Sequence, residues 1–98
     1  MTITKTQNGA TLTLALEGRL DTITAPDLEK EIKENLDGVT ELILDFTDLE
    51  YISSAGLRVL LAAHKAMSGA GTMKVTNVSN IVAEIFEVTG FSDILTIE

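Results

Sequence analysis

Two adjacent hydroxyls, Ser53 and Ser54, stand where an apolar strand and a short acidic stretch (Asp45-Phe46-Thr47-Asp48-Leu49-Glu50) give way to a long helical pattern. A serine at such a place commonly caps the helix, and Ser54 is read here as the cap. The same hydroxyl can also accept a phosphoryl group, because the free N–H groups and positive end of a helix start favour an anion. Gly56 follows two residues later and, lacking a side chain, allows another surface to approach closely. The chemistry these types and spacings suggest is a covalent mark read by a partner.

Other chemistries fail on spacing or residue type. Ser54 and His64, the one histidine, lie ten positions apart on one helical pattern. That is about 15 Å along the axis, whereas a nucleophile and its base must come within about 3 Å. His64 falls on the inner stripe and is expected to pack or cap. No Gly-x-Ser-x-Gly turn is present, and neither a Gly-x-x-x-x-Gly-Lys-Ser/Thr nor a Gly-x-Gly-x-x-Gly phosphate loop occurs. Gly69-Ala70-Gly71 separates a helix from a strand and reads as a turn. With no cysteine, only carboxylates and His64 could bind a metal. Asp45 and Asp48 flank a predicted turn, and turn chemistry accounts for them. The expectation is a chain with no catalytic residue, no metal and no cofactor, and not an enzyme.

Ninety-eight residues with 45% apolar content suffice for one core, so a single domain over residues 1–98 is expected. Fifteen acidic residues against seven basic ones give a net charge of −8. Such a surface repels nucleic acid and anionic membrane, and suits solubility or a basic partner. Met1-Thr2-Ile3-Thr4-Lys5 is not a signal peptide and no apolar run approaches membrane-spanning length, so a soluble, cytoplasmic protein is expected.

The elements that must position the serines follow from periodicity. Residues 2–7 and 10–17 read as strands joined at Asn8-Gly9, a hairpin turn. The second strand alternates, with Leu12, Leu14 and Leu16 on one side and Thr11, Thr13 and Ala15 on the other. Residues 24–37 read as a helix capped by Thr24, with Pro26 and Asp27 in its first turn, and Glu29–Lys33 and Lys30–Glu34 spaced as ion pairs. Residues 40–46 form a third strand, about 54–68 a second helix, and 72–77 a fourth strand. A third helix runs from Ser79 to Gly90, with a short strand within 94–97. Because the strands alternate, one sheet face is covered and the other polar. Right-handed crossovers then place all three helices on the same face only if each strand adds on the same side. The predicted fold is α/β: a single-faced mixed sheet of order 1-2-3-4, with 5 at the end, whose first pair is antiparallel. Its strand-to-helix loops share one edge, where ligands and partners of open sheets bind. Asp21 and Ser54 become predicted neighbours there. The expected docking surface is Asp21, Thr22, Ser53, Ser54, Gly56 and Arg58, with Leu57 assigned either to that surface or to the core.

Leu49-Glu50-Tyr51-Ile52-Ser53-Ser54-Ala55-Gly56-Leu57 resembles the signature of the STAS domain, and more narrowly the bacterial anti-sigma-factor antagonists. Gly18-Arg19-Leu20-Asp21 is similar to the family's Gly-x-Leu-Asp after the second strand. The spacing from Asp45-Phe46 to the serine and the closing Ile85-Phe86-Glu87-Val88-Thr89-Gly90-Phe91 agree with it, so the likeness spans the chain. The resemblance implies partner switching. The unphosphorylated antagonist binds an anti-sigma factor that is also an ATP-dependent serine kinase, and so frees a sigma factor. Phosphorylation releases the antagonist, and a metal-dependent phosphatase resets it. It implies Ser54 as the phosphorylated residue and Asp21 as the acidic partner contact. Many members carry aspartate immediately before the acceptor. This chain has Ser53 there, which makes Ser53 the fallback acceptor. The resemblance also admits a STAS scaffold subunit of a stress-sensing assembly or of an ABC-transporter ATPase complex, or a nucleotide- or small-ligand-binding module. A switch antagonist is expected to be a monomer or weak dimer when alone.

Overall fold

The computed structural model describes residues 1–98. Strands β1 (Thr2–Asn8) and β2 (Thr11–Leu20) form the expected hairpin, with Ile3 opposite Leu16 and Lys5 opposite Leu14. Helix α1 (Ala25–Asn35) returns the chain to β3 (Glu41–Ile52), and α2 (Ser54–Ser68) leads to β4 (Thr72–Thr76). Helix α3 (Asn80–Thr89), a single 3-10 turn (Phe91–Asp93) and β5 (Thr96–Ile97) complete it. The sheet order is β1-β2-β3-β4-β5, antiparallel at the first pair and parallel thereafter. The predicted fold and strand order therefore hold.

Alternation decides what is inside. Leu12, Leu14 and Leu16 of β2, Leu42, Leu44 and Phe46 of β3, and Met73 and Val75 of β4 all point to the helices and are buried. Leu28, Ile32, Leu57, Leu60, Val82 and Phe86 meet them from the helices in one cluster. Full burial of such a side chain contributes about 1.5–3 kcal/mol. The rings of Phe46 and Phe86, 6.3 Å apart and tilted, tie β3 to α3. No polar or charged residue is buried. The opposite face of the sheet has no helix on it. There Lys74 bridges Glu41 at 3.2 Å and Glu98 at 3.7 Å. No helix is long and apolar enough to cross a membrane.

Two expectations about local structure are corrected. The acidic stretch after Phe46 is not a turn: β3 continues to Ile52 and pairs with β2 throughout. Its alternation breaks because it carries one extra residue between the Ala15/Asp45 and Glu17/Asp48 pairs, and a second between Gly18/Leu49 and Arg19/Tyr51. Each β-bulge resets which side chains face the core, so the buried positions step from Phe46 to Leu49 to Ile52. Asp45 is held there as a strand residue, its Oδ1 accepting from the Thr47 hydroxyl, the Thr47 N–H and the Asn77 amide. Helix α1 also starts differently. Thr24 lies in helical backbone and makes no capping bond to α1. Its predicted ion pairs reduce to Glu29–Lys33, at 3.5 Å.

Candidate functional site

The end of β2 and the start of α2 are joined by one backbone hydrogen bond, from the N–H of Ser53 to the carbonyl of Leu20 at 2.8 Å. Asp21 follows Leu20 and Ser54 follows Ser53, so each of the two predicted site residues lies one position beyond this bond.

Asp21 organises its own loop. Its Oδ1 accepts from the N–H groups of Ile23 (3.0 Å) and Thr24 (3.1 Å) and from the Thr24 hydroxyl (3.2 Å). The single hydroxyl proton of Thr24 is shared with the carbonyl of Arg19, the nearer acceptor at 2.8 Å, and the hydroxyl oxygen accepts from the N–H of Asp21. The carboxylate thus does the work expected of Thr24: it satisfies N–H groups at the entrance to α1. These bonds, that from the Thr24 N–H foremost, hold its carboxyl below the ordinary aspartate range. The guanidinium of Arg19 adds to this, with Nε 3.9 Å from Oδ2. It also lies over the ring of Tyr51, 4.5 Å from the centroid, its partner across the strands. Gly18, which precedes Arg19 at the second bulge, has φ +103°, a backbone region in which a side chain is strained. The loop so held presents Thr22 and Ile23 to solvent, Ile23 with 84% of its surface exposed. Sequence reading missed Ile23. The available signal was a large apolar residue in a polar loop, outside either helical or strand period.

The two serines divide the roles given to Ser54. Ser53 is the N-cap of α2, with extended backbone, and its Oγ accepts from the N–H of Gly56 at 3.4 Å. Ser54 is the first helical residue, is exposed, and its hydroxyl makes no hydrogen bond within the chain. The expectation that Ser54 is the cap is therefore corrected. The cap lies one residue earlier, because β3 runs straight to Ile52 and leaves Ser53 as the last extended residue. The first turn of α2 holds no acidic residue to oppose a second negative charge.

Gly56 and Leu57 belong to the interior rather than to the expected docking surface. A Cβ on Gly56 would lie 2.7 Å from Leu20 Cγ and 2.8 Å from Ile52 Cγ1. The close approach it permits is that of α2 onto its own sheet. Leu57 is 6% exposed. The solvent-facing part of the site is then Thr22, Ile23, Ser54 and Arg58, with Asp21 and Ser53 partly buried beside them. His64 is half-buried on α2, remote from the serines. No group of three or more histidine or acidic side chains is arranged to hold a metal ion. Chemically, the arrangement offers one unengaged hydroxyl at a helix start, beside a loop fixed by a carboxylate and tipped by an exposed isoleucine.

Residues 2–98 match the family model described as the STAS domain. The putative anti-sigma factor antagonist BtrV of Bordetella bronchiseptica is 34% identical, over 99% of this chain and 85% of that one. A crystal structure of an anti-sigma factor antagonist from Mycobacterium paratuberculosis superposes with a TM-score of 0.88, at 22% identity over 98% of this chain and 83% of that one. The phosphorylated form of the Bacillus cell fate determinant SpoIIAA gives 0.77 at 20% identity, over 99% and 91% of the two chains. At these identities the two structures establish the fold, while the match over residues 2–98 establishes the family: the chain belongs to the STAS domain family.

Proposed function

We propose that this protein is an anti-sigma-factor antagonist that works by partner switching, with Ser54 as its phosphorylated residue. The observation that carries the reading is the exposed, unbonded Ser54 hydroxyl at the first position of α2, tied to the Asp21 loop through Ser53 and Leu20. The name of the 34%-identical relative supports the antagonist role. Unphosphorylated, the edge formed by Thr22, Ile23, Ser54 and Arg58 binds an anti-sigma factor that is also a serine kinase, and a sigma factor is freed. The kinase then transfers the terminal phosphoryl group of ATP to Ser54 Oγ. The bond from phosphorus to ADP breaks, and the serine proton leaves to a base on the kinase. A phosphatase hydrolyses the ester and resets the protein. The role is one of binding and release in the cytoplasm, without a cofactor.

The phosphate adds about −1.5 to −2 charge. In the free protein it meets unpaired N–H groups of α2 and water, so the fold tolerates it. In the complex it must be desolvated against a packed surface that was complementary to a neutral hydroxyl. A loss of about 4 kcal/mol there weakens binding roughly a thousandfold.

The test is binding of S54D and S54A to the cognate kinase, with phosphosite mapping of the wild type. Phosphate on Ser54 and a large loss of affinity for S54D support the switch. Unchanged affinity for S54D removes it, and phosphate on Ser53 moves the acceptor.

A further inference from the structure

Most of the cations in this acidic chain are engaged. Lys5 bonds Asn35, Lys33 pairs with Glu29, Lys74 pairs with Glu41 and Glu98, and Arg19 is held by Asp21 and the Tyr51 ring. Arg58 is exposed and makes no ion pair. Its helix explains why. The 15 residues of α2 include no aspartate or glutamate, although the chain has fifteen of them. Ion pairs on a helix surface form at three- and four-residue spacing. The residues at those spacings from Arg58 are Ser54, Ala55, Leu61 and Ala62. None carries a charge, and only Ser54 can acquire one.

Direction favours the same pair. Side chains of a helix lean toward its N-terminus, over the turn before their own Cα. The long side chain at position 58 therefore covers the turn that begins at Ser54, and Cβ atoms four residues apart are separated by about 5–6 Å. A guanidinium presents parallel N–H donors in a fixed fork that fits two oxygens of a phosphate. Lys65, the other exposed cation of α2, lies seven residues further on, about two turns beyond Arg58.

We propose that Arg58 is an internal clamp for the phosphate on Ser54. In the phosphorylated protein its guanidinium donates to the phosphate oxygens, and in the unmodified protein it is free for the partner. The inference rests on the switch proposed above and gives it a second half. Phosphorylation then alters the docking edge twice, adding an anion at Ser54 and withdrawing the cation of Arg58. No covalent bond changes at Arg58, so removal of the phosphate returns the side chain to the partner.

The test uses protein with phosphoserine installed at position 54 during synthesis, without a kinase, so the clamp is read whichever residue the kinase marks. Phosphorus NMR follows the second ionisation of the phosphate, which for phosphoserine lies at about pH 6. R58Q should raise this midpoint by about 0.3 pH unit or more, because the doubly charged phosphate loses its partner. K65Q makes the same change of charge two turns away and should leave the midpoint in place. In the wild type, the Arg58 Nε–H resonance should shift on phosphorylation. Both substituted positions are exposed, so the fold is kept. Binding to the cognate kinase supplies the second arm: the factor by which phosphorylation weakens binding should shrink about threefold or more in R58Q. An unmoved midpoint in R58Q, an equal rise in K65Q, or a phosphorylation penalty that stays the same or grows in R58Q overturns the proposal. A phosphate that the kinase places elsewhere is a failure of the switch reading, and phosphosite mapping distinguishes it from a failure of the clamp.

Discussion

The N–H of Ser53 meets the carbonyl of Leu20 at 2.8 Å, and through this bond the loop after β2 and the first turn of α2 become one surface. The bond is purely backbone, so side-chain changes at either serine leave the surface assembled. That separates what holds the site from what would be read on it.

Ser53 and Ser54 are therefore expected to respond differently to truncation. S53A removes the cap on Gly56 N–H. Loss of a serine cap costs about 0.5–2 kcal/mol, and the 3.4 Å bond places this one toward the low end. S54A removes no hydrogen bond and should change stability by less than about 0.5 kcal/mol. Chemical denaturation of both variants checks the order, and equal losses would contradict the division of roles.

Phosphorylation of Ser54 is expected to leave the free protein folded. An anion at a helix start gains about 0.3–1 kcal/mol, and no acid in the first turn of α2 opposes it. The melting temperature of the phosphorylated protein should hold or rise by a few degrees. A marked fall would place the phosphate in a site the fold cannot accept.

Ile23 should matter to binding and not to folding. Its side chain is 84% exposed, so I23D removes little buried contact. On the proposed function, the same change puts a charge where an apolar anchor meets its partner, and affinity for the anti-sigma factor should drop at least tenfold. Titration calorimetry and a thermal melt of one variant separate the two effects.

Gly56 should not tolerate alanine. The helix gains about 0.5–1 kcal/mol from Gly→Ala in its interior, but the new methyl would collide with Leu20 and Ile52. Overpacking a core costs about 1–3 kcal/mol, so the net change is destabilising. G69A is the control, since a Cβ there meets nothing within 4 Å.

Acid should loosen the clasp at Asp45. Hydrogen bonds from the Thr47 and Asn77 side chains hold its carboxyl below the ordinary range, the one from Thr47 foremost. A carboxyl lowered by folding contributes stability above its unfolded value, about 3.9, and loses it as pH falls through the folded value. D45N should be less stable at neutral pH and show a flatter decline below about pH 4. Parallel decline in both proteins would mean that other carboxylates carry the acid limb.

Much of this was legible in the residues. Alternation in Thr11–Leu16 and Glu41–Phe46 specified a one-faced sheet, and that specified the strand order. Ser79 and Gly90 marked α3 correctly: the Ser79 hydroxyl accepts from Val82 N–H, and Gly90 closes the helix at φ +82°. What periodicity could not show was a strand whose period changes. The two bulges turn the Phe46, Leu49, Ile52 series into a pattern that reads as a turn, and so moved the cap to the wrong serine. The loop after β2 was misread for a related reason. Asp21 and Thr24 are both good capping residues, and only the three-dimensional path decides which one bonds the helix start. Gly56 was recognised as a point of close approach, but a sequence does not say from which side.

The register of β3 has one more effect. Beyond Asp45 the strand keeps β2 on one flank and has no strand on the other, because β4 pairs only as far as Thr76. A straight run of this kind would offer its backbone as a template to any passing chain and seed aggregates. The irregular spacing over Thr47–Tyr51 breaks that template while the side chains remain docked. Shortening the stretch by two residues would restore an even ladder, and with it an adhesive margin that the native chain avoids.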